Sequence, residues 1–332
     1  MENKTFKALV VQETKEKKYV RRIMEKSIDD LPPGDVLVNV KYSSLNYKDA
    51  LSAIGNKGVT KNYPHTPGID AAGVVVESHS PDFKPEDNVI VTSYDLGMNT
   101  PGGFAEYIRV PADWVVKLPE NLSLKESMIY GTAGFTAALS VYRLVEYGVA
   151  PDQGEILVTG ATGGVGSMAL AILAQSGYAV IAVSDKVEKS EFLSGLGAKE
   201  IISRNDALDT GGKPLLPGRW AGVIDTVGGD MLATAIKSTQ SGGAVTCCGN
   251  VASADLPLTV YPFILRGVAL FGIDSQNCPM KTRQQIWQKI AGAWKLDHLS
   301  RLATEISLDE LDHAIDQILQ GKLTGRTLVR LT

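Results

Sequence analysis

Residues 156–174, ILVTGATGGVGSMALAILA, constrain the fold of this chain more than any other stretch. A short apolar run leads to Gly160, a glycine-rich turn follows, and an uninterrupted apolar helical pattern begins. Ala161, Gly163 and Gly166 stand at the spacing A-x-G-x-x-G. A turn of this kind opens a helix whose first amides have no acceptor of their own, which suits a pyrophosphate at the helix N-terminus. Gly163 lets the backbone approach such a group, and Gly166 permits close packing of the helix on the strand. Thr162, Gly163, Gly164 and Val165 are therefore the expected phosphate-loop contacts.

Strand and helix signals alternate around this motif. "YAVIAVS" reads as a strand and "KVEKSEFLSGLG" as a helix, and "KEIIS", "GVIDTVG", "GAVTCCG" and "VALFGID" are four further apolar runs. Alternation of this kind predicts βαβ units and a doubly wound parallel sheet. The preceding third of the chain has a different texture. Residues 6–12 and 36–43 alternate as half-buried strands, and "AAGVVVES", "DNVIVT" and "GGFAEYIRVPADWVVKLP" continue the strand-rich character. "SLNYKDALSAIG" reads as a short helix with Asn46 as N-cap and Gly55 as stop, and Ser123 with Glu126 forms a capping-box pattern. After Asp274 come two helical stretches and the strand-like "TLVRL". The fold class is α/β, with a β-rich domain over 1–126 completed by 276–332, and a Rossmann domain over 127–275.

With 332 residues, two domains are the natural expectation. A formal charge of -4 offers no electrostatic case for nucleic acid or an anionic membrane. No apolar run approaches the ~18 residues of a spanning helix, and Met1-Glu2-Asn3-Lys4 lacks the apolar region of a secretory signal. The three cysteines, with Cys247 and Cys248 adjacent, rule out a disulfide framework and fit a reducing cytoplasm.

The second strand of the βαβ unit decides which dinucleotide is expected. In an NAD site it ends in an acid that grips the ribose 2′-hydroxyl. Here it ends at Ser184, followed by Asp185, Lys186 and, further on, Lys189. A hydroxyl flanked by ammonium groups suits a 2′-phosphate, and Arg204 after the next strand adds a bidentate clamp. NADPH is thus the expected cofactor, with Ser184, Lys186 and Arg204 on its 2′-phosphate. Asp185 is the awkward residue, because one position of register would make it an NAD acid. "CCGN" ends a parallel strand, where open α/β sheets bind ligands, so Gly249 and Asn250 are expected beside the cofactor. "FGIDS" ends the last strand and adds Ile273 and Ser275. The adjacent cysteines read as small buried hydrophobes.

The segments "SSLNYKDAL", "PGIDAAGVV", "GGFAEY", "YGTAGFTAALSV", "GATGGVGS", "DTVGG" and "LTGRTLV", spread over nearly the whole chain, resemble the medium-chain dehydrogenase/reductases. Together they are most similar to the zinc-free branch of bacterial acryloyl-CoA reductases, also labelled quinone oxidoreductases. The resemblance implies a GroES-like catalytic domain, a groove between two domains, NADPH on the strand C-termini, and a homodimer. Strand 268–274 would form the sheet edge, which pairing with its twin would cover.

Zinc-dependent members carry His-Glu where this chain has Ile69-Asp70, and a cysteine where it has Asn46. Neither isoleucine nor asparagine suits a catalytic zinc, and the four clustered cysteines of the structural zinc lobe are also missing. The expectation is therefore no metal, with Asp70 a structural acid accepting backbone amides at a turn. Asn46 and Tyr47 occupy the segment of the family's metal ligand and proton relay, so the resemblance makes them the catalytic candidates, Tyr47 lying near the nicotinamide. Thr132 and Thr136 fall where the relatives' helix faces that ring.

Without a Lewis acid, reduction of an activated C=C bond is the chemistry expected, acryloyl-CoA to propionyl-CoA for preference. A quinone or enone reductase and a non-catalytic NADPH-binding protein are the alternatives. The partner is a small molecule, with neither nucleic acid nor membrane.

Overall fold

The computed structural model describes residues 4–331, in two compact units. One unit runs to Thr132 and also contains Gln276–Ala291 and the chain from His298; the other comprises Ala133–Ser275 and Gly292–Asp297. In chain order the elements start with β1 (Thr5–Glu13), β2 (Tyr19–Ser27), β3 (Val36–Leu45), α1 (Tyr47–Ala53), β4 (Asp70–Ser78), β5 (Asn88–Thr92), β6 (Tyr107–Val110), β7 (Val115–Lys117) and α2 (Leu124–Tyr147). Next come β8 (Glu155–Val158), α3 (Gly164–Gln175), β9 (Val180–Val183), α4 (Ser190–Gly195), β10 (Ala198–Ile202) and α5 (Arg204–Ala207). The series continues with β11 (Trp220–Asp225), α6 (Gly229–Lys237), β12 (Thr239–Cys247), α7 (Tyr261–Arg266) and β13 (Ala269–Gly272). The last elements are α8 (Met280–Ala291), β14 (Ala303–Ser307), α9 (Leu311–Leu319) and β15 (Arg326–Arg330).

The first unit is a seven-stranded sheet in the order β14-β15-β3-β4-β5-β7, with β6 also on β3, beside the ribbon β1-β2. Its strands are built from valine and isoleucine alternating with smaller or polar residues, and the inward set forms one core. Val38, Val40, Val75, Val89, Val91 and Ile108 meet Leu311 and Ile315 of α9, which lie four residues apart on one helix face. Each such buried side chain stabilises the fold by ~1.5–3 kcal/mol. α1 is capped at Asn46, but through Asp49: its Oδ2 accepts the Asn46 N–H at 2.8 Å. The Ser123–Glu126 box opens α2 as expected, with reciprocal bonds of 2.8 and 3.1 Å. That helix is broken at Gly131 (φ 51, ψ -157).

The second unit is an all-parallel sheet ordered β10-β9-β8-β11-β12-β13, the doubly wound 3-2-1-4-5-6 arrangement. The apolar character of α3 has a direct structural cause: every residue from Gly166 to Leu173 is buried. Because all six strands run the same way, their C-terminal ends fall on one edge of the sheet, where the loops that follow β8, β9, β11, β12 and β13 gather. β13 is an edge strand, as expected.

Candidate functional site

At the end of β8 the chain turns at Gly160, whose φ of +59 is a left-handed conformation. A Cβ on Gly166 would meet the Gly160 carbonyl oxygen at 2.3 Å, so only glycine lets the helix sit this close to the turn. A Cβ on Gly163 would meet only the Gly160 oxygen, at 3.3 Å, a close contact that a shift of a few tenths of an ångström would relieve, so this position is far less crowded than Gly166. Thr162 and Gly163 lead into α3, whose first amides, those of Gly164 and Val165, have no acceptor within the helix. These residues fit a pyrophosphate.

Ser184 extends the ladder one residue beyond β9: its N–H bonds the Ile202 carbonyl at 3.0 Å, and its hydroxyl accepts the Lys186 N–H at 3.1 Å. Asp185 is therefore the first residue past the last ladder bond. Its Oδ1 accepts the Arg204 N–H at 2.8 Å, and its Oδ2 lies 3.5 Å from Arg204 Nε. Ser184, Asp185, Lys186 and Arg204 thus gather at one corner of the sheet.

The neighbouring strand ends are tied by a buried acid not among the expected site residues. Asp225 accepts the Thr159 hydroxyl at 2.7 Å and the Gly228 N–H at 2.8 Å, and burial pushes its carboxyl up from the ordinary value. Thr226 packs on both sides: a Cβ on Gly160 would meet its hydroxyl at 2.3 Å and one on Gly249 its carbonyl oxygen at 2.0 Å. The Gly249 backbone is thereby fixed beside the glycine turn, with Asn250 exposed next to it. Ile273 bonds the Cys247 carbonyl at 3.0 Å, and Thr136 donates to Ser275 at 2.8 Å. Cys247 and Cys248 are half-buried rather than buried as expected, because they lie at the end of β12, and burial pushes the Cys248 thiol up to about 12.

In the first unit, Asp70 is a structural acid, as expected, and it does take a backbone amide, that of Thr132 beside the break of α2. It accepts no amide of its own turn. Instead Oδ1 accepts the Thr132 hydroxyl at 2.6 Å and N–H at 2.9 Å, while Oδ2 accepts Ser44 at 2.6 Å and Asn46 Nδ2 at 2.7 Å. β4 begins at Asp70, and its buried side chain lies among groups from β3, the N-cap of α1, α2 and β15. Arg326 of β15 supplies the countercharge, 3.8 Å from Asp70, and donates to Ser44 at 2.8 Å and Asn46 Oδ1 at 3.2 Å. Gly131 is required at this spot, since a Cβ there would sit 2.4 Å from Ser44 Oγ and 2.6 Å from Asp70 Oδ2. Asp49 is the second acid of the cluster. It accepts the Ile69 N–H at 2.8 Å, and burial, with the Asp70 charge next, raises its carboxyl to about 7. Tyr47 stands at the start of α1 and is 45% exposed, in contrast to Asn46, whose amide is already engaged on both sides.

These donors do not fit a catalytic zinc. Asp70 is saturated by four protein groups beside a guanidinium, Ile69 has no donor atom, and Asn46 is hydrogen-bonded into the cluster. No group of three His, Cys, Asp or Glu side chains able to hold a metal occurs among the described residues. Ser44, Asp49, Gly131, Asp225 and Arg326 escaped the sequence reading as site residues, although "DTVGG", "YGTAG" and "LTGRTLV" contain three of them.

Residues 32–120 match the model of the alcohol dehydrogenase GroES-like domain and residues 164–292 that of the zinc-binding dehydrogenases. YhfP of Bacillus subtilis, named for a quinone oxidoreductase, is 48% identical, over 92% of this chain and 93% of its own. Its crystal structure with NAD bound superposes with a TM-score of 0.96, at 46% identity over 99% of this chain and all (100%) of that one. The acrylyl-CoA reductase AcuI of Ruegeria pomeroyi is 43% identical over 98% of both chains. The yhdH oxidoreductase of Salmonella enterica, in complex with NADP, has a TM-score of 0.95 and 41% identity, covering 98% of this chain and 100% of that one. The chain belongs to the medium-chain dehydrogenase/reductases, a family of oxidoreductases, in the branch of the acrylyl-CoA reductases and quinone oxidoreductases. Among the described residues, no helix is long and apolar enough to cross a membrane.

Proposed function

We propose that this protein reduces the activated C=C bond of a short enoyl-CoA, acryloyl-CoA to propionyl-CoA, with NADPH and without a metal ion. The observation that carries the reading is the saturated Asp70–Arg326 cluster, which occupies with protein donors the segment where zinc-dependent relatives bind their metal. The names of relatives at 43% to 48% identity support the substrate class, and the NADP complex of a 41% identical protein supports the cofactor.

NADPH, when bound, supplies a hydride for the β-carbon of the unsaturated thioester. The chain's own residues do the rest. Thr162, Gly163 and the first amides of α3 would hold the pyrophosphate, while Ser184, Lys186 and Arg204 would hold the 2′-phosphate. Gly249, Asn250, Ile273 and Ser275 would offer strand-end groups to the nicotinamide half, together with Thr136, which donates to Ser275; Thr132 is the further candidate contact. Negative charge gathers on the thioester oxygen as the hydride arrives, and each preorganised donor facing it lowers the barrier by ~3 kcal/mol. Tyr47 gives its hydroxyl proton to the α-carbon and recovers it from solvent; Asn46 fixes the turn that carries Tyr47.

The protein works in the cytoplasm as a homodimer. The exposed apolar side chains of α7, Ile264 at 68% and Leu265 at 63%, lie just before the unpaired edge β13 and favour burial against a second copy.

Purified protein tests the reading by loss of reduced-nicotinamide absorbance with a panel of acceptors. Turnover of acryloyl-CoA well above that of simple quinones is expected. Turnover of quinones alone would favour the quinone reductase reading that the relationship to YhfP supports, and nucleotide binding with no acceptor turned over would contradict both.

A further inference from the structure

Among the described residues, four other than glycine have a left-handed backbone: Lys17, Glu86, Ser93 and Tyr94. Lys17 and Glu86 are single, exposed turn residues. Ser93 (φ 64) and Tyr94 (φ 52) are consecutive, and Ser93 is only 4% exposed. A side chain in this conformation costs free energy that glycine would not, and such strain lasts only where the surroundings hold it. Here they do. The Ser93 N–H bonds the Ile69 carbonyl at 2.7 Å and the Tyr94 N–H that of Gln276 at 3.2 Å. Tyr94 stacks on Trp114 with ring centroids 5.8 Å apart, and the buried guanidinium of Arg283 lies 4.3 Å from its centroid. Arg283 also donates to the Thr92 carbonyl at 3.0 Å and to that of Gln276 at 3.1 Å. α8 thereby grips the residue just before the turn and the residue that Tyr94 bonds.

What the turn delivers is the Ser93 hydroxyl, 2.9 Å from that of Thr132. The Thr132 hydroxyl donates to Asp70 Oδ1 at 2.6 Å, and a carboxylate can only accept. With its proton given to Asp70, Thr132 accepts from Ser93, so the chain has one direction, from Ser93 through Thr132 to Asp70. Asp70 Oδ2 in turn holds the Asn46 amide at 2.7 Å, at the N-cap that precedes Tyr47. We propose that Ser93 is a positioning residue for hydride transfer: the strained turn holds its hydroxyl on Thr132, which fixes Thr132 and the Asp70–Asn46 bond beyond it in the orientation that the reaction needs. The inference rests on the proposed reductase reading, which uses Thr132, Asn46 and Tyr47 but gives Ser93 no part. Glycine would adopt this turn at less cost but carries no hydroxyl, so the turn gives up stability for alignment.

Steady-state kinetics of the full chain with NADPH, using whichever of acryloyl-CoA and simple quinones wild type reduces faster, test this beside calorimetric melting. Ser93→Ala and Ser93→Gly should each lower kcat about tenfold and leave the acceptor KM within about twofold, since alignment is lost rather than binding. Ser93→Gly should nevertheless melt higher than Ser93→Ala, because it alone relieves the strain. Thr132→Val should lower kcat by itself, and adding Ser93→Ala to it should cost nothing more, because the hydroxyl acts through Thr132. Unchanged kcat in both Ser93 variants, activity kept by glycine but not by alanine, or losses that multiply in the double variant would each overturn the inference and leave the reductase reading standing. No reduction of either acceptor by wild type would remove that reading, and the inference with it.

Discussion

Two buried acids, Asp49 and Asp70, share one buried cation, Arg326, and that imbalance has a consequence in pH. Burial and the Asp70 charge raise Asp49 from 3.8 to about 7. Between those values the folded protein binds more protons than the unfolded chain. The contribution of this group to stability is therefore greatest at the acid end of the window, falls as pH rises through it, and levels off above about 7. One proton sets a limiting slope of ~1.4 kcal/mol per pH unit. Denaturant unfolding of wild type and Asp49→Asn across this window should show a steeper decline for wild type by up to that slope. Parallel profiles would contradict it. Sequence alone offered little warning of this cluster, because its members come from β3, α1, β4, α2 and β15 and only the sheet brings them together. Asp70 stood out as an acid in an apolar run, but its partners had no local signature.

The elements show what is local and what is not. β8, its turn and α3 were legible because apolar period and glycine spacing change within a dozen or so residues, and the reasons for Gly163 and Gly166 differ in a way that substitution separates. Gly166→Ala puts a methyl 2.3 Å from the Gly160 oxygen and should lower the melting temperature while weakening nucleotide binding. Gly163→Ala meets only the Gly160 oxygen, at 3.3 Å, and needs a far smaller adjustment, so it should melt closer to wild type than Gly166→Ala yet bind NADPH more weakly, because the methyl enters the space left for the pyrophosphate. Equal melting of the two variants, measured by calorimetry, would argue against this division of labour. β2 and β14 were missed for the opposite reason. Neither contains a buried residue, and both owe their extended shape to a neighbouring strand. The break of α2 at Gly131 was missed too, since a lone glycine in a helical pattern carries no sign of the polar cluster that demands it.

At the scale of the molecule, the β-rich segment and the parallel sheet were legible from texture; the strand order was not, because pairing of distant strands such as β8 and β11 has no local signature. The proposed dimer belongs to this scale. Light scattering should return about twice the 35.5 kDa of one chain, falling to one chain when charges are introduced at Ile264 and Leu265; a monomer in the wild type would contradict it.

The central claim is transfer of a hydride to an electron-poor alkene by protein donors alone. Its most direct measurement uses NADPH deuterated at the transferable position, acryloyl-CoA, and enzyme dialysed against a strong chelator. The account predicts propionyl-CoA carrying one deuterium on the β-carbon and none on the α-carbon, at an undiminished rate. Activity lost on chelation and restored by zinc, or a label on the α-carbon, would contradict it.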